Sequence, residues 1–112
     1  MGFREHAGVQ VTDGTVVVEA QDEHLNPHGR VHGGLLATML DVAMGEAVAQ
    51  AGGESPVTVS LTVTYLEPGR TGRLEATARV RKRGKRLIVV EGEVTQGEGV
   101  LADALGTFSV PA

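Results

Sequence analysis

Cysteine and tryptophan are absent from this chain, and Phe3, Tyr65 and Phe108 are its only aromatic residues. The lack of cysteine excludes disulfides, thiolate metal sites and a cysteine nucleophile. So few aromatics leave almost no surface on which a base could stack, which argues against RNA or single-strand binding. Serine is scarce too: Ser55 precedes Pro56, Ser60 lies in an alternating run and Ser109 sits close to Ala112, and none occupies a G-x-S-x-G elbow. A serine hydrolase is therefore not expected. Long uninterrupted apolar runs are missing, because Leu35 to Ala51 is broken by Thr38, Asp41, Glu46 and Gln50, too many interruptions for a membrane span. With no charged, hydrophobic, cleavable leader, the expectation is a cytoplasmic protein. The formal net charge is −4 and the pI about 5.5, a poor match to the wide basic footprint that duplex DNA requires.

What is present fits one domain spanning residues 1–112, with 41% hydrophobic residues supplied mainly by Val, Ala and Leu. Asp13-Gly14 separates two short β-prone runs, predicting a hairpin over Gly8 to Ala20. Gln21 to Arg30 holds Pro27 and Gly29 and shows neither helical nor strand period, so it reads as a loop. A helix should begin near Gly33 and stop near Gly52-Gly53. Beyond Pro56, Val57, Val59, Leu61, Val63 and Tyr65 alternate with Thr58, Ser60, Thr62 and Thr64, the pattern of a strand with one dry face. Three further strands, near 73–81, 87–94 and 100–110, complete the expected order of hairpin, helix and four-stranded meander. Ala76, Ala78, Ala102, Ala104 and Gly106 on strand faces leave little bulk under an alanine-rich helix, so the two layers can approach closely. One helix on one sheet leaves edges and a sheet face uncovered, which predicts a homo-oligomer.

The residues richest in chemistry lie at the entry to the helix. Asn26, His28, His32, Gly33 and Gly34 collect polar side chains and backbone amides at a helix N-terminus, which favours negative charge. Further along, Gly34, Thr38, Asp41 and Gly45 recur at spacings of four, three and four, forming a small-and-polar stripe on one helix face. A carboxylate flanked by small residues has room for a ligand beside it. Asp41 could equally be a buried acid satisfied by loop amides, His32 a helix cap, Asn26 a turn former before proline, and Gly33-Gly34 an aid to tight packing. His24, His28 and His32 would align at intervals of four on a helix, but Pro27 and Gly29 interrupt them, so no metal is assigned.

Asn26-Pro27-His28-Gly29-Arg30-Val31-His32-Gly33-Gly34 followed by Asp41 resembles the Asn-x-x-Gly-x-x-His-Gly-Gly-x6-Asp signature of the hotdog-fold acyl-CoA thioesterases of the phenylacetic-acid-pathway (PaaI) type. Val63 to Gly69 resembles the same family's strand after the helix, and Arg83 to Leu87 its basic hairpin. The resemblance implies an α+β hotdog fold, an antiparallel sheet wrapped around one long central helix. It also implies homodimers joined edge to edge, pairing again into tetramers, with active sites between subunits. Met1 to His6 is too short for the full leading helix that many relatives carry.

On this resemblance the catalytic candidates are Asp41, Asn26, His32, Gly34 and Thr58. Asp41 would be general base or nucleophile, two roles that stay open, and the Gly34 N–H would polarise the thioester oxygen. Asn26 would hold water or the carbonyl, His32 would order the loop or hydrogen-bond near the thioester, and Thr58 would assist the acid. Coenzyme A enters as part of substrate and product, and no separate cofactor is required. Its contacts would come from Gly33, Tyr65 and Arg70 and from Lys82, Arg83, Lys85 and Arg86, within a stretch that holds six of the ten cationic residues between positions 79 and 86. A solvated hairpin is the bland alternative for that cluster. Two other functions compete: a non-catalytic acyl-CoA binding or sensing module, and a hotdog enoyl-CoA hydratase.

Overall fold

The computed structural model describes residues 2–111. A short helix α1 (Phe3–Ala7) leads into strands β1 (Gln10–Thr12) and β2 (Thr15–Ala20). Asp13 and Gly14 both take positive φ, 50° and 81°, as the two-residue turn between paired strands demands. A 3-10 turn at Asp22–His24 and a loop precede helix α2 (Gly33–Gln50), and four strands follow: β3 (Val57–Tyr65), β4 (Gly72–Arg83), β5 (Leu87–Gln96) and β6 (Gly99–Ser109).

The strands form one antiparallel sheet in the order β1-β2-β4-β5-β6-β3. This corrects the expected meander, because β3 pairs with β6 at the far edge and not with its chain neighbour β4. The connection between β3 and β4 crosses three strand spacings, about 14 Å, which residues 66–71 can span. It is held against the end of the sheet, where the Leu66 and Glu67 N–H groups both donate to the Leu101 carbonyl. The Gln96 side chain, one of the few buried polar groups, accepts from Arg70 N–H at 3.0 Å and donates to the Arg70 carbonyl at 2.7 Å.

Helix α2 lies across the inner face of the sheet, burying Met39, Leu40, Met44 and Val48 against Leu74, Ala76, Val90 and Ala102. The small residues set that approach. A Cβ at Gly106 would come within 2.8 Å of Met44 Sδ, and one at Gly92 within 2.9 Å of the Thr77 carbonyl. The expected dry face of β3 is not dry within one chain: Val57 and Val59 are 63% and 58% exposed. Two causes act. β3 is an edge strand beyond the reach of most of α2, and a bulge between Thr58 and Ser60 breaks the alternation. On either side of it, Thr58 stands opposite Phe108 and Leu61 opposite Gly106, so Thr58 shares the helix-facing side with Leu61, Val63 and Tyr65.

Candidate active site

Asp41 sits halfway along α2 on the side turned toward β3. The bulge aims the Thr58 hydroxyl at it, and Thr58 Oγ1 donates to Asp41 Oδ1 over 2.6 Å. Around this pair opens a cleft of about 770 Å³ lined by Thr38, Val42, Gly45, Leu61 and Phe108, with Phe3 and Arg4 of α1 at its rim. Thr38, Asp41 and Gly45 of the small-and-polar stripe all line it, while Thr38 Oγ1 donates back to the Gly34 carbonyl at 2.8 Å. Ala37, Gly45 and Ala49 keep the helix side of the cleft shallow, leaving space beside the carboxylate.

The helix N-terminus is built differently from the sequence expectation. His32 is the N-cap, and its Nδ1 accepts from the Gly34 N–H at 2.8 Å, leaving the ring proton of a neutral imidazole on Nε2. The Gly34 N–H is thus not a bare donor here; it must exchange the imidazole for another acceptor before it can polarise a ligand oxygen. The ring is exposed, so nothing packed around it prevents that exchange. Asn26 organises the loop as an Asx turn, its Oδ1 accepting from His28 N–H at 2.9 Å and Arg30 N–H at 3.2 Å. Its amide NH₂ is what remains to face a ligand. Val31 N–H donates to the Gly69 carbonyl and His32 N–H to the His24 carbonyl, tying the loop to the β3–β4 connection and to itself.

A second, smaller cleft of about 440 Å³ collects Asn26, Arg30, Gly33, Tyr65 and Gly69 at this end of α2. Tyr65 Oη donates to the Gly33 carbonyl at 2.9 Å, and its ring lies where a Gly33 side chain would be, 3.2 Å from an ideal Cβ. Gly33 is therefore needed for close approach of the tyrosine. Asn26 and Asp41, both predicted as catalytic, open onto different clefts of the same chain.

The basic hairpin is separated from that end. Arg83 reaches over Gly52, its Nη1 3.3 Å from where a Cβ would stand, which places it at the C-terminus of α2. Tyr65 and Gly33 mark the opposite terminus of the 18-residue helix, about 27 Å away by helical rise. One chain therefore does not bring Gly33, Tyr65 and Arg70 together with Lys82, Arg83, Lys85 and Arg86. Arg79 and Arg81 face Glu91 on the outer side of the sheet and are partly neutralised there. His24 uses both ring nitrogens on the backbone, accepting from Gln21 N–H at 2.9 Å and donating to the Ala7 carbonyl at 3.1 Å. No helix among the described residues is long and apolar enough to cross a membrane.

Sequence reasoning missed Phe3, Arg4, Glu46, Leu61 and Phe108 as cleft residues. Only the scarcity of aromatics could have singled out any of them, namely Phe3 and Phe108.

Residues 28–102 match the family model described as Thioesterase superfamily. The chain belongs to that superfamily. Within it, the six-stranded sheet and single long helix are those of the PaaI-type hotdog thioesterases. Human acyl-coenzyme A thioesterase 13 is 33% identical over 91 residues, covering 78% of this chain and 65% of the human protein. Escherichia coli acyl-coenzyme A thioesterase PaaI is 38% identical over 81 residues, covering 71% of this chain and 56% of that one. The solved structure of the E. coli PaaI protein, from the phenylacetic acid degradation operon, superposes with a TM-score of 0.88 at 28% identity over 97% of this chain and 83% of that chain. A Bacillus halodurans protein solved with CoA superposes with a TM-score of 0.88 at 34% identity, over 96% of this chain and 74% of that one. The chain thus spans a little under two thirds of the human thioesterase and just over half of the bacterial one.

Proposed function

We propose that this chain hydrolyses an acyl-CoA thioester to the free acid and CoA, with Asp41 as the reacting carboxylate. The observation that carries the reading is the Asp41–Thr58 pair, a hydroxyl-oriented carboxylate facing an open cleft on a thioesterase-superfamily fold. Named relatives that are acyl-coenzyme A thioesterases, and a related structure solved with CoA, support the substrate class. The operon of the E. coli relative favours an aryl-bearing acyl group.

In the reaction, Asp41 takes a proton from water as the water oxygen adds to the thioester carbonyl, or its own oxygen adds and water later cleaves the anhydride. Either way the carbonyl oxygen becomes an oxyanion whose collapse breaks the C–S bond, and CoA leaves as a thiolate that is protonated by the acid form of Asp41 in the base route or by solvent in the anhydride route. Thr58 holds the carboxylate in place with its hydrogen bond. The oxyanion needs a donor, and the Gly34 N–H at the positive end of α2 is the candidate; such a donor is worth about 10²–10³ in rate. Gly34 and Asp41 lie seven positions apart on one helix, about 10 Å along its axis, too far for both to touch one carbonyl.

The site is therefore completed between two copies. β3 supplies the means, an edge strand with exposed Val57 and Val59 that can extend the sheet into a partner. Asp41 of one copy then faces Asn26, His32 and Gly34 of the other. The same pairing is what would let Gly33, Tyr65 and Arg70 and the basic hairpin serve one CoA molecule. The homodimer, or a pair of them, is the working unit.

The test is mixing. Asp41→Asn and Asn26→Ala proteins, each inactive in thiol release, are co-expressed and the hybrid purified through two tags. A shared site leaves the hybrid one native pair, and activity returns. A hybrid as dead as its parents refutes sharing, and undiminished turnover by Asp41→Asn alone refutes the carboxylate's role.

A further inference from the structure

Helix α1 contributes little to the core, only the partly buried Ala7 at its end. None of its five residues is buried, and Phe3 is left 68% exposed. Yet it is fixed in place. Gly2 N–H donates to the Glu5 carboxylate at 3.1 Å, and Gly8 at φ +79° closes the other end, with Val9 N–H donating to the Arg4 carbonyl at 2.8 Å. Two long-range tethers then seat it. Arg4 Nη1 lies 3.2 Å from Glu46 Oε1 on α2, and His24 reaches the Ala7 carbonyl through its Nε2. A helix this short is not stable alone in water, so these tethers and not its propensity hold it.

The tethers put Phe3 on the rim of the Asp41 cleft. Between Asp41 and that rim the lining is Val42, Gly45, Ala49, Leu61 and Phe108, and the charges of Arg4 and Glu46 are spent on each other. Glu46 is five positions past Asp41 on α2, about 7–8 Å along the axis. An acetyl group held at Asp41 falls short of that distance, whereas a phenyl ring or a hexanoyl chain covers it. A large apolar side chain held by charged tethers at the rim of this cleft is placed to meet the far end of a ligand bound in it.

We propose that α1 is the distal wall of the acyl site and that Phe3 selects uncharged, apolar acyl groups long enough to reach it over acetyl. The inference rests on the hydrolytic reading of Asp41. It adds that specificity is set by a segment outside the loop-and-helix constellation, and that the Arg4–Glu46 pair positions the selecting side chain.

The experiment measures kcat/KM for hexanoyl-CoA and acetyl-CoA by thiol release in the unaltered chain, in Phe3→Ala and in Arg4→Gln. Because α1 buries no residue, both variants should keep the circular dichroism and elution volume of the parent. The unaltered chain should prefer hexanoyl, with the ratio falling about tenfold in Phe3→Ala, through the hexanoyl KM. Arg4→Gln should move it the same way by less, and Arg4→Lys should restore it. A ratio within about twofold of the parent in both variants overturns the wall and leaves the role of Asp41 standing. No thiol release by the unaltered chain from either ester or from phenylacetyl-CoA overturns the hydrolytic reading, and the wall with it.

Discussion

Thr58 Oγ1 meets Asp41 Oδ1 at 2.6 Å only because β3 carries one extra residue between Thr58 and Ser60. Without the bulge, strict alternation from Leu61 would turn Thr58 to the outer face of the sheet, away from α2. The edge strand and the helix are thus coupled by a backbone irregularity, and the coupling ends on the one carboxylate in the cleft that is not already in an ion pair.

Removing the two halves of this pair should have unequal effects. Asp41→Asn should lower kcat by about 10²–10⁴, the usual contribution of a positioned base. Thr58→Val should lower it about tenfold, because a hydrogen bond to a partly exposed charge is lost while the carboxylate survives. Thr58→Ser should stay close to the parent. Steady-state thiol release with one ester checks all three, and a Thr58→Val enzyme of unaltered kcat would deny the hydroxyl any part in orienting the acid.

His32 makes a separate prediction about stability. Its Nδ1 satisfies the Gly34 N–H at the start of α2, so His32→Ala should cost about 0.5–2 kcal/mol, as loss of an N-cap does. His32→Asp should recover most of that, since a short carboxylate caps the same position and suits the positive end of the helix. Urea midpoints of the three proteins decide the matter. Equal midpoints for parent and His32→Ala would mean that solvent caps the helix as well as the imidazole does.

Much of this architecture is legible in the sequence where a local rule fixes it. Asp13-Gly14 forces a hairpin, Gly33 to Gln50 carries the helix with Gly52 at positive φ just beyond it, and the strand runs follow their alternation outside the bulges. What the sequence hides is set by tertiary packing. The pairing of β3 with β6 depends on where the residue 66–71 connection is pinned, and nothing local to β3 encodes it. The Thr58 bulge, the exposure of Val57 and Val59, and the capture of the Gly34 N–H by His32 are decided by neighbours distant in sequence or by a side-chain rotamer. Asn26 could be read two ways and does hold a turn. The basic run from Arg79 to Arg86 looks like one patch, yet a second bulge between Val80 and Lys82 divides it, with Arg79 and Arg81 outside against Glu91 and Arg83 inside over Gly52.

Gln96 should matter more than its place beside a turn suggests. It is buried and makes two hydrogen bonds to the backbone of Arg70, the residue that follows Gly69, whose carbonyl holds Val31. Gln96→Ala leaves the Arg70 N–H and carbonyl without these partners, at about 1–3 kcal/mol. Gln96→Glu keeps one acceptor but loses the donor and should fall between. Chemical denaturation measures the loss, and amide exchange at Val31 should quicken in step with it. Unaltered exchange there would show that the latch does not extend to the loop carrying Asn26 and His32.

Gly92 and Gly106 test how closely α2 must lie on the sheet. At Gly106 an added Cβ meets Met44 Sδ at 2.8 Å, and at Gly92 it meets the Thr77 carbonyl oxygen at 2.9 Å. Met44 is fully buried, but its thioether can swing; the Thr77 carbonyl belongs to the β4–β5 ladder and cannot move without distorting that pairing. Gly92→Ala should therefore be the more damaging of the two, within the range of about 1–3 kcal/mol seen for overpacked cores. Met44→Ala placed on Gly106→Ala should relieve the clash, giving a double variant more stable than the sum of the two single losses predicts. It should do nothing for Gly92→Ala, whose obstacle is backbone. Melting curves of the five variants measure these differences, and an additive Gly106–Met44 cycle would mean that the helix has lifted off the sheet to make room.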